Sequence, residues 1–127
     1  MFVTAASDHT DRDAERLDVQ ISKVCCQKVL GRSAWRLDAV RDRWDDFVLV
    51  GRSGDDDPTA YQEARLSELL RPEKLLEMIP WAARPTAFVV LGGTVSTMGG
   101  IRFERCFHVE LRDPRRGRSL TAAPRTN

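Results

Sequence analysis

Two uncharged stretches carry the strongest signal in the chain, and they differ in period. Ala87, Phe88, Val89, Val90 and Leu91 lack charge at every position, the pattern of a strand buried on both faces. Gly92 and Gly93 end that run. From Ile101 the pattern alternates: Ile101, Phe103, Phe107, Val109 and Leu111 fall on one face, and Arg102, Glu104, Cys106, His108, Glu110 and Arg112 on the other, as in a half-buried strand. Arg105 interrupts the apolar row, which marks a bend, an edge or a snorkelling side chain. Residues 92–100 are too few for a helical crossover, so the two strands are expected to be antiparallel neighbours.

The rest of the chain reads as helices and one further strand. Residues 1–9 carry no periodic pattern and are expected as a tail. Thr10 followed by Asp13 resembles a capping box, and Ala14, Leu17, Ile21, Val24 and Cys25 keep helical spacing up to Gly31, which predicts a helix over residues 11–30. Leu17, Val19 and Ile21 also alternate, so a strand competes there. Residues 33–46 fit either a helix (Leu37, Val40, Trp44) or a strand and turn (Trp35, Leu37, Ala39). Phe47, Val48, Leu49 and Val50 predict a short buried strand closed by Gly51, with a loop over residues 52–58. Asp57 before Pro58 predicts a helix whose inner side is Tyr61, Leu66, Leu69 and Leu70, and Pro72 starts another that Pro80 closes. Beyond Leu111, Asp113 and Pro114 break the pattern, so residues 113–127 are expected as a mobile basic tail.

These elements predict one α+β domain over residues 10–112, a two-layer sandwich with a small, mostly antiparallel sheet packed against two to four helices. With 127 residues, 42% hydrophobic and 31% charged, the chain lies in the globular range. A net charge of +1 decides nothing by itself, but its distribution is uneven. Asp8, Asp11, Asp13, Glu15 and Asp18 crowd the first twenty residues, whereas Arg102, Arg105, Arg112, Arg115, Arg116, Arg118 and Arg125 crowd the last twenty-seven. The arginine bias over lysine suits phosphate recognition and equally suits the codon usage of a genome rich in G and C. Three cysteines, two of them adjacent, make no disulfide framework, which points to the cytoplasm. Residues 85–101 are uncharged but hold four glycines and four hydroxyl residues, a poor bilayer helix. No membrane association is expected.

The candidate chemistry is thin. Glu104, Cys106, His108 and Glu110 share a strand face, so a carboxylate could orient His108 as a general acid or base; same-face neighbours stand about 7 Å apart, so a Cys106–His108 nucleophile needs a bend in the strand. The alternative is a polar outer face. Gly92-Gly93-Thr94 after an apolar strand resembles the nucleophile loop of the bacterial asparaginases over about a dozen residues, and that resemblance implies Thr94 as the attacking hydroxyl; read by itself it is a glycine-rich loop. Asp55, Asp56 and Asp57 lack the spacing of a calcium loop, and Cys25-Cys26 lacks that of a zinc site. No metal and no cofactor is expected.

The first functional expectation is therefore a small cytosolic, non-enzymatic protein-binding or regulatory module, with self-association through the edge of the strand over residues 101–111 as one form of it. A nucleic-acid-binding protein using Arg102, Arg105, Arg112, Arg115, Arg116 and Arg118 is the second, and a small hydrolase or transferase built on His108 the third.

Overall fold

A computed structural model describes residues 1–54, 59–80, 82, 85–100 and 106–123. In chain order its elements are β1 (Phe2–Val3), β2 (Ala6–Asp8), α1 (Arg12–Glu15), α2 (Val19–Val24), β3 (Lys28–Leu30), β4 (Trp35–Arg36), the 3-10 turns Leu37–Ala39 and Arg41–Asp46, β5 (Val48–Ser53), β6 (Ala60–Arg65), the 3-10 turn Leu66–Glu68, α3 (Pro72–Met78), β7 (Phe107–Asp113) and β8 (Arg118–Ala122). Small antiparallel sheets with a few short helices make the class α+β. One sheet has four strands in the order β6-β5-β7-β8, and β1-β4 and β2-β3 form two-stranded pairs.

Both chain ends depart from the expected tails. Residues 1–9 carry β1 and β2, with Ala5 and Ser7 buried, because Phe2 and Val3 pair with Arg36 and Trp35, and Ala6, Ser7 and Asp8 with Leu30, Val29 and Lys28. Residues 113–127 carry β8, whose Leu120 and Ala122 enter the core opposite Leu111 and Val109. Ser119, Leu120, Thr121 and Ala122 alternate in polarity, but in only five residues of strand the period is hard to hear beside the surrounding arginines.

The helix predicted over residues 11–30 is two short helices and a strand. Asp11, not Thr10, caps α1, its Oδ1 accepting from the amides of Asp13 and Ala14. Asp18 then caps α2 by accepting from Gln20 and Ile21 at 2.7 and 3.0 Å, so an internal aspartate competes with helix continuation and starts a new helix. The apolar row turns outward: Leu17, Ile21 and Val24 are exposed, and Ser22 is the buried residue of α2. Gly31 ends no helix. A Cβ there would lie 2.7 Å from the Thr121 carbonyl and 2.7 Å from Thr4 Oγ1, so glycine permits the N-terminal strands to approach β8.

Residues 33–46 are neither of the predicted forms, being β4 followed by 3-10 turns that bury Leu37, Val40 and Trp44. The helix predicted after Pro58 is strand β6, paired with β5 from Val48–Arg65 to Arg52–Ala60 with a register shift at Gly51; the ladder offered by β5 outweighs the local cap signal. The cap itself, Asp57-Pro58, lies outside the described residues. Pro72 does occupy the first turn of α3.

The two stretches that dominate the sequence pattern are not partners. Residues 87–91 form no strand and are exposed, and β5 and β7 are each flanked on both sides by other strands. Residues 101–105 lie outside the described residues, and β7 pairs on one side with β5 and on the other with β8. It is therefore an inner strand, and association through its edge, as expected from the sequence, has no open ladder to use. Its alternation holds from Phe107: Val109, Leu111 and Asp113 are buried and His108 is exposed. The core gathers Ala5, Leu37, Val40, Trp44, Phe47, Leu66, Val109, Leu111, Leu120 and Ala122.

Candidate functional site

On the outer face of β7, Glu110 is consumed by its neighbours. Arg112 Nη2 donates to it at 3.0 Å, Ser119 Oγ at 2.5 Å and Arg52 Nη1 at 3.2 Å. These donors, Arg112 first, hold its carboxyl at about 2. A carboxylate so engaged has little basicity left for an imidazole. His108 stands opposite Arg52 in the ladder and is exposed, while Cys106 is half-buried with its carbonyl accepting from Gly54. Glu104 lies outside the described residues. Among the described residues this strand face holds an ion-pair cluster centred on Glu110.

That cluster has a pH signature. The folded value of Glu110 lies below its ordinary 4.5, so its contribution is present above the unfolded value and is lost as the pH falls toward about 2. We expect the unfolding free energy to be on the order of 1–2 kcal/mol smaller at pH 3 than at pH 7 through Glu110, discounted for the solvent around its arginines. Glu110→Gln should flatten that slope, and an unchanged slope in the variant would refute the assignment.

The C-terminal arginines are similarly engaged. Arg115 pairs with Asp46 at 2.7 Å, Arg118 with Asp113 at 3.2 Å, and the Arg118 guanidinium lies 4.6 Å from the Trp35 ring centre. Arg116 is exposed in the turn before β8. Arg102, Arg105 and Arg125 lie outside the described residues, as do Asp55, Asp56 and Asp57. Thr94 follows no strand, and its Oγ1 accepts from Gln62 Nε2 at 3.0 Å, so the strand context of the asparaginase loop is missing. Among the described residues no group of His, Cys, Asp and Glu could hold a metal, and no helix is long and apolar enough to cross a membrane.

A large concavity lies elsewhere, on the inner side of the sheet. A groove of about 1660 Å³ runs between the N-terminal strands, α3 and residues 86–97. Its outer wall is pinned at one end: Gln62 Nε2 donates to the Val95 carbonyl, the Met98 amide donates to the Tyr61 carbonyl, and Val95 is buried. Gly93 turns with φ +95°, and Gly92 passes over Leu75, whose Cδ1 would lie 3.5 Å from an added Cβ.

Two polar side chains stand in the groove's wall on the inward row Val3, Ala5, Ser7, His9. Ser7 Oγ and His9 Nδ1 are 2.7 Å apart. The imidazole meets the Phe107 ring edge-on at 6.4 Å, and Phe107 in turn meets Tyr61 at 5.6 Å. Burial first, then the positive charge of Lys28, holds His9 below its ordinary value of 6.5. Asp8, between them, is paired with Lys23 at 2.6 Å and Lys28 at 2.8 Å. The alternation of these four inward residues was the available signal, hidden by reading residues 1–9 as a tail.

No curated protein and no solved structure matches the chain. Residues 1–123 match the family model described as Protein of unknown function (DUF2848), and the chain belongs to that family.

Proposed function

We propose that the chain is a protein-binding module of the cytoplasm that works by self-association, and that its contact surface is the outer side of residues 87–91. The observation that carries this reading is the exposure of an uncharged run built for burial. Phe88, Val89, Val90 and Leu91 are exposed, Val89 at 65%, although β-branched and aromatic side chains in series suit a packed extended segment. Leu70 and Met78, from the α3 region, and Met98 add exposed apolar surface. An exposed apolar run of this kind is the sort of surface through which chains interact. Cys25 and Cys26 are free thiols, in keeping with a reducing compartment.

A second copy is the partner we favour, because an uncharged run with no ion-pairing demand is self-complementary across a two-fold axis. Light scattering should give a dimer mass at micromolar concentration for the unaltered chain, and Val89→Glu should shift it to monomer with little change in thermal midpoint. A monomer mass for the unaltered chain would overturn the proposal.

A further inference from the structure

We propose that Ser7 and His9 form a nucleophile and general-base pair that hydrolyses a small neutral ester whose apolar acyl group lies in the groove. This activity is independent of the self-association above. The Oγ to Nδ1 distance of 2.7 Å is that of an activated nucleophile and its base. Ser7 is 6% exposed and lines the groove. One contact holds the imidazole ring of His9 and another holds the backbone that carries it. Its ring packs edge-on against Phe107, and its backbone carbonyl accepts from Lys28 Nζ at 2.6 Å. Its lowered basicity keeps it neutral near pH 7, and in the tautomer protonated at Nε2 the Nδ1 lone pair accepts the Ser7 proton.

The reaction balances with water as the second substrate. Ser7 Oγ bonds to the ester carbonyl carbon as its proton passes to His9 Nδ1 and the carbonyl electron pair moves to oxygen. Collapse breaks the bond to the alkoxy oxygen, which leaves with the proton from His9. Water then attacks the acyl-Ser7 carbonyl, giving one proton to His9; the carboxylic acid departs, and that proton returns to Ser7 Oγ. The substrate class follows from the walls. Phe107, Tyr61 and Val95 supply apolar surface, and the charged side chains of the lining are paired with opposite charges, Arg12 with Glu15 and Asp8 with Lys23 and Lys28, which favours a neutral ligand.

The test treats the full chain with a fluorophosphonate probe, maps the adduct by mass spectrometry, and follows p-nitrophenyl butyrate hydrolysis. We expect one adduct at Ser7, no adduct in Ser7→Ala, and labelling and turnover slowed about 100-fold or more in His9→Gln. Both rates in the unaltered chain should fall on acidification as His9 protonates. No adduct at Ser7 in the folded, unaltered chain would overturn the proposal even if a variant failed to fold, and so would equal labelling in a folded His9→Gln.

Discussion

Replacing Asp113 with alanine should cost the fold about 3–5 kcal/mol, the range for removing one partner of a buried ion pair. The Asp113 carboxylate is 0% exposed. It accepts from Arg43 Nη1 at 2.7 Å and from Arg118 Nε at 3.2 Å. Arg43 comes from the 3-10 turn before β5 and Arg118 from the start of β8, so one carboxylate ties three segments. Burial alone would raise its pKa, but the hydrogen bonds from Arg43 and Arg118 overcome that and hold it below the ordinary 3.8. Without the carboxylate, Arg43, whose side chain is only 16% exposed, keeps a positive charge with poor access to water. Arg118 is better solvated and contributes less. Urea denaturation at pH 7 checks the loss, and a change below about 1 kcal/mol would place the pair with ordinary surface ion pairs. Because the folded value is depressed, the same stabilisation is present above the unfolded value and disappears as the pH falls through the folded one.

What the sequence made legible was local, and what it hid was pairing. The alternation from Phe107 to Leu111 correctly divides β7 into a core side and a polar side, and Pro72 correctly opens α3, since both signals depend on residues within a few positions of each other. Residues 87–91 mislead because an uncharged run reports only that burial is wanted. Whether a ladder is free to receive it depends on β6 and β8, and β8 was itself concealed by the arginines around it. The N-terminal site was missed for a related reason: Ser7 and His9 face inward because β2 pairs with β3 some twenty residues away, and a cap-like Thr10 drew attention past them. His108, on a strand whose alternation could be read directly, stands exposed opposite Arg52. The ion-pair cluster at Glu110 could be anticipated as a polar face, though not as a site where Arg52, Arg112 and Ser119 converge from three strands.

Phe47→Ala should be comparably damaging, about 3–5 kcal/mol, because a fully buried aromatic ring is lost together with its packing. Phe47 is 0% exposed, meeting Trp35 at 5.3 Å and Trp44 at 6.5 Å between ring centres. Its backbone also joins two segments, since the Phe47 carbonyl accepts from the Leu66 amide at 2.8 Å; that bond survives substitution, so the loss measures the ring. The Arg43 guanidinium lies 5.8 Å from the same ring, and Arg43 is the principal partner of Asp113. The two sites should therefore couple. Truncating Phe47 frees Arg43 to move, so the double variant Phe47→Ala with Asp113→Ala should lose less than the two single losses together, by about 0.5–3 kcal/mol. Denaturation curves of the four proteins in the cycle provide the check, with Phe47→Leu retaining enough structure to replace the alanine variant if that one does not fold. Additivity within about 0.5 kcal/mol would mean that the aromatic cluster and the buried carboxylate stabilise the fold separately, and that the ring beneath Arg43 does not hold it in place for Asp113.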